Sequence, residues 1–299
     1  MRLAVTGSTG QLVRALAERG PTLGHEVAAV GRAVLDLATA DDETACRVLA
    51  ATGASAICNA AAYTAVDRAE SEPELAMAVN ATGAGVVARA AARLGLPLVH
   101  ISTDYVFSGE QAAPYREDDA TGPTGVYGAS KLAGEAAVRA SGADAAILRT
   151  AWVFSPFGAN FVRTMLRLAA TRDEVGVVAD QHGCPTSALD LADAVLIVAA
   201  NLAGSHNPAL RGTFHAAGTG EASWADLAEA VFAASAAAGG PFSTVRRITT
   251  ADYPTPARRP ANSRLHCGKL ALHHRTRLPD WRGSVAEVTT RLVHEGAFA

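Results

Sequence analysis

The sequence is poor in lysine and in cysteine, and these scarcities limit the sites it can form. Only two of the 299 residues are lysine, so arginine supplies nearly all of the positive charge. The four cysteines, Cys46, Cys58, Cys184 and Cys267, are widely spaced and form no C-x-x-C pair, which predicts free and mostly buried thiols. The nine histidines form no H-x-x-x-H pattern, so we expect no metal site.

The sequence also lacks a strong charge of either sign and a long apolar run. The formal net charge is -3 and the basic residues are scattered, so no nucleic-acid partner is predicted. Charged and turn residues interrupt the apolar runs before bilayer length, and the N-terminus has no signal-like pattern, so we expect a cytoplasmic protein with no membrane partner. What is present is 49% apolar residues, enough at this length for a full α/β core and a smaller second domain.

The N-terminus has the pattern of a strand, a tight glycine turn and a helix. The apolar run 3–6 leads into Gly7-Ser-Thr-Gly10, and a helical pattern follows. This order places the first amide groups of the helix where they can bind a pyrophosphate, although an ordinary glycine turn is the alternative. Val13 replaces the third glycine of a G-x-x-G-x-x-G turn, so we expect the helix to be displaced slightly outward.

The end of the second predicted strand, Glu26 to Val30, indicates which dinucleotide is bound. In a dinucleotide fold this end faces the adenosine ribose, where an arginine accommodates a 2′-phosphate. Arg32 therefore favours NADPH over NADH, with a solvated surface arginine as the alternative. Asp36 and Leu37 fit a segment beneath the adenine, with Asp36 as an acceptor for its amino group.

A third apolar run, 54–59, opens into three alanines. The small side chains of Ala60, Ala61 and Ala62 let the backbone lie against a dinucleotide at the carboxyl edge of a parallel sheet. Asn80 follows a helical stretch at 73–79. It either binds a water or a backbone carbonyl beside Lys131, or is only a helix-interior amide.

Three side chains form a candidate site for proton transfer. Tyr127 and Lys131 are four residues apart, which places them on one face of a helix, where a cation lowers the pKa of a phenol. The predicted strand 97–101 delivers Ser102 and Thr103 to the same sheet edge, where a hydroxyl can polarise a carbonyl. The alternatives are a packed ring with a solvated amine, and hydroxyls that only form a turn.

The rest of the chain predicts a discontinuous second domain. The strand 145–149 ends the first continuous part of a parallel sheet, Trp152 begins a substrate wall, and the strand 212–216 returns to the sheet. We therefore predict one domain from residues 1–153 and about 188–217, and another from about 154–187 and 218–299. Helical spacing predicts core positions at Trp224, Leu227, Ala228, Val231 and Phe232.

The proline-rich segment near the C-terminus cannot be helical. Its three arginines, Arg258, Arg259 and Arg264, offer planar donors suited to a diphosphate, and ordinary salt bridges explain them about as well on charge alone. Of the three, we assign Arg258 and Arg264 to substrate binding, together with Asn160.

Several motifs together resemble a known family. They are 59–67 (NAAAYTAVD), 101–107 (ISTDYVF), 126–135 (VYGASKLAGE), 180–186 (DQHGCPT) and 253–264 (YPTPARRPANSR). The chain resembles the dTDP-4-dehydrorhamnose reductases almost from end to end. The resemblance implies a Rossmann-type, doubly wound α/β parallel sheet with a smaller, discontinuous C-terminal substrate domain, as in extended short-chain dehydrogenase/reductases.

The resemblance also implies a reaction and a set of residues. Catalysis would use Thr103, Tyr127 and Lys131, and the sugar nucleotide would contact Thr103, Asp104 and Trp152. With the residues argued above, the cofactor group is Gly7, Gly10, Gln11, Leu12, Arg32, Asp36, Leu37, Ala60, Ala61, Ala62, Tyr63, Asn80, Tyr127 and Lys131. The expected activity is NADPH-dependent (NADH possible) reduction of the C4 ketone of a dTDP-linked 4-keto-deoxysugar.

Alternatives to this activity remain at the level of sequence. The same motifs would serve another 4-keto-deoxysugar, and a non-catalytic NADP-binding regulatory subunit is possible. A dehydratase is disfavoured because Tyr105, not glutamate, follows Asp104. The glutamates of the metal-bridged dimer of some family members are replaced by Ala15 and Leu189, so we expect a monomer or an unbridged homodimer.

Overall fold

A computed structural model describes residues 1–296. The strands are β1 (Arg2–Thr6), β2 (Glu26–Val30), β3 (Ala56–Asn59), β4 (Leu98–Thr103), β5 (Ala145–Thr150), β6 (Val153–Phe154), β7 (Glu174–Val178), β8 (His182–Gly183), β9 (Thr186–Ser187), β10 (Gly212–His215), β11 (Ala222–Ser223), β12 (Thr244–Ile248) and β13 (Asn262–Ser263). The helices are α1 (Gln11–Thr22), α2 (Asp42–Ala51), α3 (Val66–Ala69), α4 (Pro73–Met77), α5 (Ala84–Leu94), α6 (Val126–Ala140), α7 (Phe161–Ala169), α8 (Ala188–Gly204), α9 (Trp224–Ala237), α10 (Gly268–His274) and α11 (Trp281–His294).

Six parallel strands form the central sheet in the order β10-β5-β4-β3-β1-β2. The chain passes from β1 to β2 on one side and then crosses to β3 on the other side of β1. This reversal makes a topological switch point beside β1. Side chains alternate across the sheet, so Leu3 and Val5 pack with α1 and α8 while Ala4 packs with α2 and α5. The predicted Rossmann-type, doubly wound sheet is confirmed.

Most of the predicted strands differ from the observed ones by one or two residues at an end. The strand predicted at 54–59 begins at Ala56, and the strand predicted at 97–101 begins at Leu98 and continues to Thr103. The extension arises because β4 pairs in parallel with β5 up to Thr150. Thr103 is therefore part of the sheet rather than of a following loop.

The helical stretch predicted to end at residue 79 is longer. A π-helical segment at Ala78–Gly83 joins α4 to α5 into one helix, Pro73–Leu94. By length and composition this helix could cross a membrane, a departure from the expectation that no apolar stretch reaches that length. It packs between α2 and α6, and 56% of its apolar window is buried, as in a core helix of a soluble protein.

The C-terminal part of the chain forms smaller sheets beside the carboxyl edge of the central sheet. Strand β12 pairs with β7, and β8 lies between β11 and β13. The apolar core is continuous from the central sheet through α8 to α7, α9 and α11. The smaller lobe is therefore packed directly against the edge to which β1, β3, β4 and β5 deliver their last residues.

Candidate active site

A cavity of about 900 Å³ lies where the carboxyl ends of the central strands meet the smaller lobe. Most of the residues predicted for the cofactor and the substrate line it. These are Gly7, Gly10, Gln11, Leu12, Arg32, Asp36, Leu37, Ala60, Ala61, Ala62, Tyr63, Thr103, Asp104, Tyr127, Lys131 and Trp152. The volume of the cavity lies near the upper end of the range usual for ligand sites.

The glycine turn and the alanine loop form one end of the cavity. Gly7 has a φ of +98°, and a Cβ there would lie 3.3 Å from the Cγ2 atom of Val13, so the turn requires glycine. Within the described residues, no side chain caps the N-terminus of α1, which leaves its first N–H groups available to an anion. The Thr6 hydroxyl accepts the N–H groups of Ala60 and Ala61 at 3.1 and 3.0 Å and thereby sets the path of the alanine loop.

Arg32 and Asp36 form a pair at the rim of the cavity. The Arg32 Nε atom lies 3.0 Å from Asp36 Oδ2, and the arginine side chain is 77% exposed. Asp36 also accepts the N–H of Ala38 at 3.0 Å, and this bond, with Arg32, lowers its pKa. The two residues predicted to contact adenosine therefore lie together, with the guanidinium free to reach a ligand.

Tyr127, Lys131 and Thr103 all line the cavity. Lys131 is 3% exposed and its Nζ atom donates to the carbonyl oxygen of Ile101 at 2.7 Å. Burial lowers the pKa of Lys131 to about 8, partly opposed by Glu135. Burial raises the pKa of Tyr127 to about 12, opposed by a hydrogen bond with Thr103. The phenol pKa is therefore raised, in contrast to the lowering by Lys131 expected from the sequence, and the phenol keeps its proton at neutral pH.

Asp104 is a buried carboxyl beside these groups. It is 3% exposed and accepts a hydrogen bond from the Thr103 hydroxyl at 3.0 Å. Burial raises the pKa of Asp104 to about 6, against the opposing effect of the Ser263 and Thr103 hydroxyls. The carboxyl can therefore act as a donor or an acceptor near neutral pH.

We expect Asp104→Asn to stabilise the fold. The pKa of Asp104 lies near 6 in the folded protein, against 3.8 ordinarily, so the folded state binds more protons than the unfolded chain between those values and loses stability as the pH rises through them. The variant should have a free energy of unfolding about 3 kcal/mol higher above pH 6, and the gain should vanish below about pH 4. Urea unfolding of both proteins across this pH range measures the difference in their free energy of unfolding. Equal stability of the two proteins throughout would contradict the assigned burial effect.

Two tryptophans form the opposite wall of the cavity. Trp152 has a φ of +49°, unusual for a residue with a side chain, and its ring stacks on Trp224 with the ring centres 3.6 Å apart. A Cβ at Gly183 would overlap the Trp152 ring. Trp224, predicted as a core position, is instead part of the cavity lining, whereas Leu227 and Val231 are buried as predicted.

Two asparagines predicted for the site make hydrogen bonds that hold its surrounding loops and helices. Asn80 is 1% exposed, accepts the N–H of Tyr63 at 2.8 Å and donates to Ser130 at 3.0 Å. Asn80 thus fixes the backbone of the loop that contains Tyr63. Asn160 caps α7 by accepting the N–H of Arg163 and donates to the carbonyl oxygen of Ser155.

The arginines of the proline-rich segment are engaged in ion pairs outside the cavity lining. Arg258 pairs with Glu110 at 3.3 Å and is 69% exposed. Arg264 pairs with Glu221 at 2.8 Å and also binds the side chain of Asn262. From the sequence, ordinary salt bridges were the alternative to diphosphate contact for these arginines, and the structure shows such salt bridges.

A further ion pair joins two of the sequence motifs. Arg259 and Asp67 form two hydrogen bonds, at 3.0 and 2.8 Å, and Asp67 also accepts the N–H of Ala257. This clamp attaches the proline-rich segment to the loop that follows the alanines. Sequence reasoning placed Arg259 in a cluster of cations but did not identify its partner.

The helix that carries Tyr127 and Lys131 is packed closely through glycine. A Cβ at Gly128 would overlap the backbone carbonyl oxygen of Tyr105, and one at Gly134 would overlap that of Asn80. Helix α6 therefore lies against the end of β4 at backbone distance. This contact fixes the distance between Tyr127 and Thr103.

We expect Gly128→Ala to impair the site although alanine favours helices. Helix propensity alone predicts that the free energy of unfolding rises by about 1 kcal/mol. However, the added methyl group must displace α6 from Tyr105. A shift of about 1 Å at a reacting group costs roughly 100-fold in rate, so kcat should fall by that order. Steady-state kinetics test this, with Ala129→Gly at the next, exposed helix position as the control. Full activity in Gly128→Ala would show that this packing does not position Tyr127.

Comparison with known proteins gives a consistent result. The family described as RmlD substrate binding domain matches residues 1–294. The dTDP-4-dehydrorhamnose reductase of Sinorhizobium fredii (strain NBRC 101917 / NGR234) is 50% identical over 300 residues, covering 100% of both chains. That of Escherichia coli (strain K12) is 45% identical over 241 residues, covering 79% of each. The crystal structure of dTDP-4-dehydrorhamnose reductase from Bacillus anthracis in complex with NADP aligns with a TM-score of 0.88 at 33% identity, covering 97% of this chain and 99% of that chain.

The fold and the cavity together define an extended short-chain dehydrogenase/reductase, with a glycine turn and a Tyr-x-x-x-Lys pair that line one cavity. Within that class, the chain belongs to the dTDP-4-dehydrorhamnose reductase family. The resemblance stated from the sequence motifs is thereby confirmed.

Proposed function

We propose that the protein reduces the C4 ketone of a dTDP-linked 4-dehydro-6-deoxyhexose, dTDP-4-dehydro-L-rhamnose, with NADPH. The observation that carries the proposal is that Thr103, Tyr127 and Lys131 line the same cavity as the glycine turn and the alanine loop. A ketone placed between these groups has a hydride source on one side and a proton donor on the other. The relatives are dTDP-4-dehydrorhamnose reductases, which supports this substrate over another deoxysugar.

The residues present fit a nicotinamide dinucleotide. A side chain at Gly7 would crowd the turn, and the uncapped start of α1 suits a pyrophosphate. Arg32 at the rim suits a 2′-phosphate, and the bound dinucleotide would supply the hydride. Lys131, as a buried cation, would bind the nicotinamide ribose.

The protein's own groups complete the reduction. As the hydride arrives at C4, negative charge develops on the ketone oxygen, and Tyr127 donates its proton there. The Thr103 hydroxyl, which donates to Asp104 in the structure, turns to donate its hydrogen bond to the same ketone oxygen and stabilises the developing charge. The products are a secondary alcohol at C4 and the oxidised dinucleotide, so one hydride and one proton are consumed in each turnover.

The substrate wall opposes these groups. The stacked rings of Trp152 and Trp224 offer a flat apolar face to the deoxysugar, and Asp104 lies where a sugar hydroxyl can bind. Because no cluster of three or more His, Cys, Asp or Glu in residues 1–296 could hold a metal ion, we assign no step to a metal. We further propose that the enzyme works in the cytoplasm.

The function is tested by mixing the purified protein with NADPH and dTDP-4-dehydro-L-rhamnose and following the loss of nicotinamide absorbance. We expect saturable consumption of NADPH, slower consumption of NADH, and little activity on 4-keto sugars linked to other nucleotides. Binding of NADPH without consumption would exclude the proposed reduction and would fit a regulatory subunit.

A further inference from the structure

A cluster of charged side chains lies directly behind Lys131. Glu135, which is 0% exposed, follows Lys131 by one turn of α6. Its carboxylate accepts two hydrogen bonds from Arg149, at 2.8 Å each, and one from Ser102 at 2.6 Å. Arg139 adds a further bond at 2.7 Å from the exposed side.

This cluster connects three elements of the site. Glu135 is on α6, Ser102 is on β4, and Arg149 is on β5. Ser102 directly follows Ile101, whose carbonyl oxygen accepts the Lys131 ammonium. Glu135 and Lys131 are thus attached to neighbouring residues of β4, and together they fix the rotation of α6 relative to the sheet.

The cluster also determines the electrostatic surroundings of Lys131. Burial disfavours an ammonium ion, and the Glu135 carboxylate acts in the opposite direction. Among the other ionisable groups around Lys131, Arg149 and Arg139 are cationic, and Tyr127 and His100 are neutral because of burial. Asp104, towards the cavity, has a pKa of about 6 and is largely a carboxylate at neutral pH. The pKa of His100 lies well below its usual value because of burial and, to a lesser degree, of Lys131 and Arg139, so this imidazole is neutral.

We propose that Glu135 is a positioning residue for the reduction: its carboxylate, fixed by Arg149 and Ser102, keeps Lys131 cationic and anchors α6 so that Tyr127 faces the ketone. The role of Glu135 in turnover rests on the proposed function, whereas its effect on the ionisation of Lys131 does not. A surface ion pair could not serve this purpose, because solvent would screen it.

The scarcity of lysine makes a direct test possible. The chain has two lysines, Lys131 and Lys269, so a protein labelled with ¹³Cε-lysine gives two side-chain signals, and Lys269→Arg leaves one. Lys269 donates to the carbonyl oxygen of Thr213 and lies over the ring of Phe214, which makes it an internal reference. NMR titration of the NADPH-free protein then measures the ionisation of Lys131.

In Glu135→Gln we expect the pKa of Lys131 to fall by about one to two units, as removal of a unit charge about 6–10 Å away at an effective dielectric constant of about 20 implies. The Lys269 signal should titrate as in the wild type. Ser102→Ala, which removes one hydrogen bond but keeps the carboxylate charge, should leave the Lys131 titration unchanged within about 0.3 units. An unchanged Lys131 pKa in folded Glu135→Gln would overturn the proposal.

Glu135→Gln leaves Arg149 buried without a counter-charge and can fail to fold. The double variant Glu135→Gln, Arg149→Met removes both charges, and a smaller fall in the Lys131 pKa is expected there because the repulsion by Arg149 is also lost. A Lys131 pKa in the double variant equal to that in Arg149→Met would likewise overturn the proposal. Turnover of the sugar nucleotide by the wild-type protein is measured in parallel, and its absence would refute the proposed function. The Lys131 titration alone decides the role of Glu135.

Discussion

Tyr127→Phe is expected to lower kcat by roughly 10²- to 10⁴-fold, the usual contribution of a positioned general acid. The variant keeps the ring, and with it the edge-to-face contact with Tyr105 at 5.5 Å, but removes the proton that the developing alkoxide requires. NADPH affinity should remain within about fivefold, because one neutral hydrogen bond to the cofactor is worth only about 1 kcal/mol. Stopped-flow turnover and fluorescence titration with NADPH measure the two quantities.

The neighbouring ring provides the control. Tyr105 lines the same cavity, and its buried phenol has a pKa raised by burial. Tyr105→Phe should retain turnover within about tenfold, since this phenol is given no proton-transfer role. Wild-type turnover in Tyr127→Phe, or equal losses in both variants, would exclude Tyr127 as the proton donor.

Lys131→Met is expected to combine a loss of turnover with a loss of cofactor binding. The ammonium is proposed to bind the nicotinamide ribose, and a hydrogen bond to a charged group is worth about 1.5–3 kcal/mol, so Kd for NADPH should rise by about 10- to 100-fold. Loss of the cation beside Tyr127 should also lower kcat by roughly 10²-fold or more. The same titration and kinetics measure both effects.

Lys269→Met is the matched control for this variant, because it removes the only other lysine of the chain, which lies against Phe214. It should leave both constants unchanged. An unaltered Kd for NADPH in Lys131→Met would contradict the ribose contact, even if turnover were lost.

Sequence was sufficient for the features that depend on local pattern. The alternation of strands and helices placed the glycine turn, the alanine loop and the end of β4 at one edge of a parallel sheet, because parallel strands end together. Helical spacing placed Tyr127 and Lys131 on one face. These predictions need only the hydrophobic periodicity of the sequence and the parallel direction of the strands.

Sequence was insufficient where a side chain finds a partner far along the chain. Arg264 pairs with Glu221 and Arg258 with Glu110, and nothing local indicates either partner. Asn160 resembles a ligand-binding amide in sequence, yet it caps α7. Whether these groups also contact a substrate remains a prediction.

Two residues of the site gave a signal that local reasoning did not use. Glu135 is an acidic residue on a helix of small residues, one turn beyond Lys131, which indicates a buried counter-charge once the helix is known to be packed. Trp224 has the spacing of a core residue, and only the stacking on Trp152 shows that its ring faces the cavity. In both cases the missing information was the packing of one element on another.

The most direct test of the central claim is the fate of the hydride. With NADPH deuterated at both C4 positions of the nicotinamide and dTDP-4-dehydro-L-rhamnose as the substrate, NMR of the isolated sugar nucleotide locates the deuterium. The account predicts one deuterium at C4 of the deoxysugar for each NADPH consumed, and none in Tyr127→Phe over the same time. Deuterium at another carbon, or a product formed without it, would contradict reduction of the C4 ketone in this cavity.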